Sequence, residues 1–208
     1  GPRTFESLLK VTDFDDYSQL SKVPGLWYRN KTTGLIQSTP QAPLITNLDE
    51  EIDMLPIEYL DLKSYRTSNW HSWTNNNETA PFASIYTSLG CPFKCNFCMI
   101  NAPFNHGDTK NNVFRNWSPE NIIKKFDFFA ENNIKNIKIA DEMFVFKKQH
   151  YVELCKLIHE RKYDFNIWAY ARVDTVREQH LEVLKNAGVN WLALGIESAN
   201  QVIRQEVT

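Results

Sequence analysis

The chain carries Cys91-Pro92-Phe93-Lys94-Cys95-Asn96-Phe97-Cys98, three thiols in one short loop at C-x₃-C-x₂-C spacing. Before it lie a β-like run, Ala83-Ser84-Ile85-Tyr86-Thr87-Ser88, and the turn residue Gly90. Thiolates are the usual protein ligands of iron–sulfur clusters. A [4Fe–4S] cube has four irons, so three thiols leave one iron open to a substrate or cofactor. Structural zinc sites pair C-x₂-C with a second pair, which this loop does not do. A bacterial ferredoxin carries a four-cysteine run, which is also absent. Zinc held in another way and buried free thiols are the alternatives.

On the carboxyl side of the loop, strand and helix patterns alternate. Ser118 caps a helix and Pro119 suits its first turn; Ile122, Ile123, Phe126, Phe129 and Ala130 mark its buried face. A strand at 136–140, a helix at 147–162, a strand at 165–171 and a helix at 176–186 follow, the last stopped by Gly188. A strand at 191–196 and a helix starting near Ser198 complete the series. Repeated β–α units predict an α/β fold with a parallel sheet, here a partial (β/α) barrel of about four units.

In parallel α/β folds the chemistry sits at the carboxyl ends of the strands. The cysteine loop follows the first strand, so it lies at that end. Side chains alternate along a strand, and the apolar set should face the covering helices. By that rule Phe165, Ile167, Ala169 and Ala171 face helices, which leaves Arg172 inside at the top. Leu192, Leu194 and Ile196 face helices, which leaves Glu197 inside. Ile137 and Ile139 do the same and leave Glu142 inside. Glu142, Arg172 and Glu197 therefore converge on the mouth that holds the thiols.

The loop residues resemble the signature of the radical S-adenosylmethionine (radical SAM) enzymes, C-x₃-C-x-aromatic-C, with Phe97 as the aromatic. The resemblance covers about 83–208. It implies that Cys91, Cys95 and Cys98 hold a [4Fe–4S] cluster whose open iron is chelated by SAM. Reductive cleavage of SAM would then give a 5′-deoxyadenosyl radical that attacks an unactivated C–H bond. Glu142, in Ala140-Asp141-Glu142, stands where the family touches the SAM amino group; Asp141 is the alternative. Arg172 would meet the SAM carboxylate. Glu197 and Ser198, in Gly195-Ile196-Glu197-Ser198, stand where the family contacts the ribose or methionine part. A full core of this kind has about six units, so truncation at the carboxyl end is expected.

Residues 1–80 read differently. Thr4 is placed as the cap of a short helix with Phe5, Leu8 and Leu9 apolar. Residues 25–29 and 35–37 flank Asn30-Lys31-Thr32-Thr33-Gly34 and read as a hairpin. Pro40, Pro43 and Pro56 punctuate an irregular stretch, and Trp70 to Asn77 reads as a loop. This hairpin and Asn47-Leu48-Asp49 resemble the linker of cobalamin (B12)-binding radical SAM proteins. The resemblance implies methyl transfer or skeletal rearrangement, with a cobalamin domain expected upstream of residues 1–80. A cobalamin-independent, methylthiotransferase-like enzyme is the second expectation. A non-catalytic iron–sulfur or metal-binding protein is the third.

Composition bounds the rest. The chain has 208 residues, 42% hydrophobic and 23% charged, as in ordinary globular proteins. A net charge of −2 gives no nucleic-acid footprint, so a small-molecule substrate is expected. An electron donor such as a flavodoxin or ferredoxin is the implied partner. No apolar run reaches the ~20 residues of a membrane span. A cluster loop implies a reducing compartment, hence the cytoplasm. Cys155 reads as a buried helix thiol, Met99 as packing, and His71 and His106 as solvated loop residues. Arg172 also has a plain reading, an ion pair with Asp174 or Glu197. Trp168 and Tyr170 have one too, as filling of the barrel interior.

Overall fold

The computed structural model describes residues 1–207 except 53, 55, 68–78, 94 and 102–113. His71, His106 and the loop expected at 70–77 lie outside the described residues. Two compact units form, Gly1–Thr46 and Asn47–Thr208.

The first unit holds helices α1 (Pro2–Leu8) and α2 (Tyr17–Leu20) and strands β1 (Trp27–Arg29) and β2 (Ile36–Ser38). The expected hairpin is present: β1 and β2 are antiparallel, with Tyr28 opposite Gln37. Its turn is set by Asn30, whose Oδ1 accepts the Thr32 and Thr33 amides, and by Gly34 at φ 71°. Tyr17 stacks on Tyr28 at 6.0 Å. Helix α1 departs from expectation. It starts at Pro2, which suits a first turn, so Thr4 lies inside it rather than capping it. Phe5 and Leu9 are 62% and 69% exposed and form no buried face.

The second unit runs in chain order through α3 (Leu48–Glu51), β3 (Arg66–Thr67), β4 (Ala80–Ile85), β5 (Ser88–Leu89) and β6 (Arg115–Asn116). It continues with α4 (Pro119–Glu131), β7 (Asn136–Ile139), α5 (Lys148–Glu160), β8 (Asn166–Arg172), α6 (Leu181–Asn186), β9 (Val189–Gly195) and α7 (Gln201–Val207). One five-stranded sheet has the order β3-β4-β7-β8-β9. The pairs β4–β7, β7–β8 and β8–β9 are parallel, and β3 is antiparallel to β4. This is the α/β architecture with repeated β–α units that the sequence pattern implies. No helix among the described residues is long and apolar enough to cross a membrane.

Residues after Thr46 belong with the sheet. Asp49 accepts the Ser118 amide at 3.0 Å and the Asn121 side chain at 2.9 Å, doubling the cap of α4. Lys125 bonds Glu58 at 2.5 Å, and the Trp117 indole donates to the Ile52 carbonyl at 3.0 Å. At the other end of the helix series, Gly188 takes φ 85°, and a Cβ there would lie 2.3 Å from the Phe165 carbonyl oxygen. Only glycine fits that close approach.

One sheet face is apolar and closed. Ala83, Ile85, Ile137, Ile139, Ile167, Ala169 and Ala171 are all at most 4% exposed. They alternate along three strands, as period-2 logic requires. The edge strand β9 breaks the rule: Leu194 and Ile196, expected under helices, are 44% and 50% exposed. The first strand is also displaced. It spans 80–85 rather than 83–88, because Ala140 donates to Ile85 as the last rung and the chain then turns. Ser88 and Leu89 pair instead with Asn116 and Arg115. The helix expected at 176–186 is shortened to a 3₁₀ turn at Glu178–His180 followed by α6.

Candidate functional site at the carboxyl ends of the strands

The thiol loop begins at Gly90, whose φ of 86° admits the sharp exit from β5. Cys91 and Cys95 are half-buried and Cys98 is exposed. The Cys98 amide donates to the Cys95 carbonyl at 3.1 Å, which tightens the loop between the second and third thiols. Burial, then the neighbouring Cys95 and Cys98 thiols and Glu142, push the Cys91 thiol up. Bound metal reverses such a shift by deprotonating the thiol. Among the described residues, no three Cys, His, Asp or Glu side chains close on a single ion. A cube differs in that each thiolate takes its own iron. Three thiols in one half-buried loop fit that donor requirement.

Asp141 anchors the loop from below. It is 1% exposed. Its Oδ1 accepts the Thr87 amide at 2.5 Å, and its Oδ2 accepts the hydroxyls of Thr87 at 2.5 Å and Ser88 at 2.6 Å. Burial outweighs these hydrogen bonds and pushes its carboxyl up to about 6. The end of β7 is thereby tied to the two residues that lead into Gly90 and Cys91. Both oxygens of Asp141 are thus engaged with Thr87 and Ser88, while the next residue is placed differently. One carboxylate oxygen of Glu142, Oε2, is buried with no hydrogen-bond partner among the described residues. A buried acceptor without a donor is costly unless a ligand supplies one.

Arg172, the last residue of β8, reaches the loop from the side. Its Nη1 lies 3.6 Å from Cys95 Sγ, and its guanidinium sits 4.0 Å from the Phe93 ring centroid. Phe93 in turn meets Phe146 edge-on at 6.0 Å. The other edge of the guanidinium holds Asp174, Nε to Oδ1 at 3.0 Å and Nη2 to Oδ2 at 2.8 Å. The Asp174 hydrogen bond holds the Arg172 guanidinium above its usual range. The ion pair is therefore formed, with Asp174 and not Glu197. One bidentate edge of Arg172 is occupied, and its free corner faces a thiol.

Glu197 reaches the mouth by a different route from the one alternation implies. Strand β9 ends at Gly195, and Glu197 turns back at φ 63°. Its Oε1 lies 3.2 Å from where a Gly195 Cβ would stand. Gly195 is in register with Arg172, so both address one face. Ser198 accepts the Asn200 amide at 3.1 Å and its carbonyl accepts from Arg204 at 2.7 Å, as a cap leading into α7. Asn96 of the loop donates to the Glu206 carbonyl at 3.0 Å. Phe97 is 59% exposed, and Met99, expected to pack, is 76% exposed. Cys155 is fully buried in α5, and burial pushes its thiol up to about 12. It stands apart from the loop chemistry.

The Asp141 anchor and the Phe93–Arg172–Cys95 stack were not read from the sequence. Two hydroxyl residues, Thr87-Ser88, before a Gly-Cys pair were the available signal for the first. An aromatic inside the thiol loop was the signal for the second.

Residues 85–208 match the model of the radical SAM superfamily. A protein named as a methyltransferase from Pyrococcus horikoshii is 29% identical over 201 residues, 96% of this chain and 39% of that protein. A protein named as a methylthiotransferase from Methanocaldococcus jannaschii is 29% identical over 135 residues, 60% of this chain and 29% of that protein. The chain thus spans well under half the length of these relatives. In fold it resembles TsrM, the radical SAM methyltransferase of Kitasatospora setae. The TM-score is 0.57 against the form with tryptophan and a SAM analogue, at 18% identity, covering 88% of this chain and 34% of TsrM. Against the form with cobalamin and a [4Fe–4S] cluster it is 0.54, at 18% identity, covering 85% and 33%. The match over more than half its length, on the segment that carries the thiol loop, makes this chain a member of the radical SAM superfamily.

Proposed function

We propose that this chain is the catalytic core of a radical SAM methyltransferase acting on a small molecule. Cys91, Cys95 and Cys98 hold a [4Fe–4S] cluster that, when bound, supplies the electron and the open iron for reductive SAM cleavage. The observation that carries the reading is the buried Oε2 of Glu142, without a hydrogen-bond partner among the described residues, beside a three-thiol loop. An ammonium donor completes that carboxylate, and the SAM amino group is such a donor. Arg172 donates from Nη1 to the Cys95 thiolate, while Asp174 fixes its plane. Phe97 and Met99 are exposed side chains of the loop segment, and a cofactor bound there would be shielded from water by them. Glu197 and Ser198 stand beside the same mouth as contacts for the ribose or methionine part.

The methyltransferase name of the Pyrococcus relative favours methyl transfer, and the linker hairpin favours a cobalamin partner domain. The methylthiotransferase name of the second relative supports a cobalamin-independent alternative. A reduced cluster requires a one-electron donor, a flavodoxin or ferredoxin, and a reducing compartment such as the cytoplasm.

The test is anaerobic reconstitution with iron and sulfide, followed by metal analysis and electron paramagnetic resonance of the reduced protein with and without SAM. Four irons per chain and a SAM-dependent change of the spectrum are expected. Glu142→Gln should keep the iron and weaken the SAM effect about tenfold, the usual scale for a charge-assisted hydrogen bond. Stoichiometric zinc in place of iron, or a spectrum indifferent to SAM, would overturn the reading.

A further inference from the structure

The open face of the sheet carries a second polar arrangement, deeper than the thiol mouth. In the parallel register Ser84, Lys138, Trp168 and Trp191 form one row. Tyr170 stands two residues nearer the mouth on the same face. These positions alternate with the closed apolar set, so they point away from the covering helices. Lys138 Nζ lies 4.8 Å from the Trp168 ring centroid and 5.0 Å from that of Tyr170. The two rings pack edge to face at 4.6 Å. Among the described residues, this ammonium has no carboxylate partner. Aromatic faces attract a cation but leave its remaining N–H donors unfilled. Glu142 lies three residues past the end of β7, in the turn that follows the strand, so it stands at the carboxyl end of the strand while Lys138 lies within it.

We propose that this row is the substrate subsite: Lys138 anchors an anionic group, and Trp168 and Tyr170 flank a flat unsaturated body that extends toward the thiol mouth. The class of substrate is an elongated organic anion with its charge at the end remote from the reacting carbon. This deepens the proposed function and rests on it only for what happens at the mouth. A point charge held between two rings suits a carboxylate or phosphate, whose attraction is strongest where water is excluded. Flat rings give contact area at low entropic cost, as in other aromatic-lined sites.

The test uses the full chain without cluster or SAM, so its failure is distinguishable from failure of the cofactor reading. Naphthalene-2-carboxylate and its uncharged carboxamide are titrated by calorimetry and by tryptophan fluorescence. The carboxylate should bind at least about tenfold tighter, the scale of a hydrogen bond to a charged group. Lys138→Gln should remove that preference and leave carboxamide binding within about twofold; Lys138→Arg, which preserves the charge, should retain most of it. Trp168→Leu should weaken both ligands. Equal binding of the two ligands by the native chain, or an undiminished preference in folded Lys138→Gln, overturns the proposal.

Discussion

Replacing Asp141 tests whether the thiol loop is held from beneath. In Asp141→Ala, the Thr87 amide and the Thr87 and Ser88 hydroxyls lose their acceptor in a site that is 1% exposed. The hydroxyls can rotate, but the amide cannot. One stranded amide, two hydroxyls deprived of their acceptor and a small cavity cost ~3–5 kcal/mol together. Asp141→Asn behaves differently, because its carbonyl still accepts the amide and the hydroxyls can turn to meet its NH₂. The sign of the pH effect follows from the carboxyl's rise from 3.8 to about 6. Below 3.8 both folded and unfolded chains hold the proton. Between the two values the fold holds it and the unfolded chain has released it. The stabilisation present in acid is therefore lost as pH rises, by about 3 kcal/mol in all, and about 2 of it between pH 4.5 and 7.5. His150 acts in the opposite sense. Burial lowers it from 6.5 to about 4, so its contribution is present above 6.5 and lost as pH falls. The two nearly cancel in the native profile, so the difference between variant and native is the quantity to read. Urea unfolding of the cluster-free chain should show Asp141→Asn gaining about 2 kcal/mol on native between pH 4.5 and 7.5. Asp141→Ala should be destabilised at every pH and take up less iron. An Ala variant within about 1 kcal/mol of native, or a flat Asn difference curve, would refute the reasoning.

Three further outcomes are expected. Cys155→Ala should cost about 1 kcal/mol in urea unfolding, as for a small core truncation, and leave iron content unchanged. Cys91→Ala, Cys95→Ala or Cys98→Ala should each abolish the four-iron cluster by metal analysis. Gly188→Ala should lose at least about 2 kcal/mol, because its φ of 85° and the Phe165 oxygen at 2.3 Å leave no room for a Cβ. An unchanged denaturation midpoint would mean that the α6–β9 turn relaxes freely.

Much of this fold is legible in local pattern. The alternation of Ile167, Ala169 and Ala171 against Trp168, Tyr170 and Arg172 names the buried face of β8 correctly, because strand geometry acts residue by residue. Ser118-Pro119 marks the start of α4 for the same local reason. What escapes is set by distant partners. Thr87 and Ser88 read as strand, yet a carboxylate 54 residues away in sequence turns them out of the sheet. Glu197 shares a face with Arg172, but through a left-handed turn rather than continued alternation. Leu194 and Ile196 look like core and remain exposed, since hydropathy does not say which strand is the edge. That the three thiols share one loop is readable, because residues so close in sequence cannot lie far apart. The Asp174 grip on Arg172 is only half readable, because two residues' separation permits the pair without requiring it.

The charges along the open face run in one direction. Among the described residues, the mouth holds three thiols, a Glu142 oxygen without a hydrogen-bond partner and Glu197, against the Arg172 guanidinium that Asp174 already half neutralises. Such a mouth favours a ligand with net positive charge, and SAM, with a sulfonium and an ammonium against one carboxylate, has it. It also disfavours an anion, since like charges repel strongly where water is scarce. Deeper in the sheet the sign reverses at Lys138, which lies against the Trp168 and Tyr170 rings and, among the described residues, forms no ion pair with a carboxylate. On the proposed reading, an anionic substrate entering this face is turned by the field before any close contact forms. Its charge settles at Lys138, and its uncharged end is left at the mouth, where the reaction would take place. Orientation of the substrate then follows from the order of charges, Lys138 within β7 and Glu142 in the turn after it, and exchanging those two residues should reverse which end of the probe lies next to the thiols.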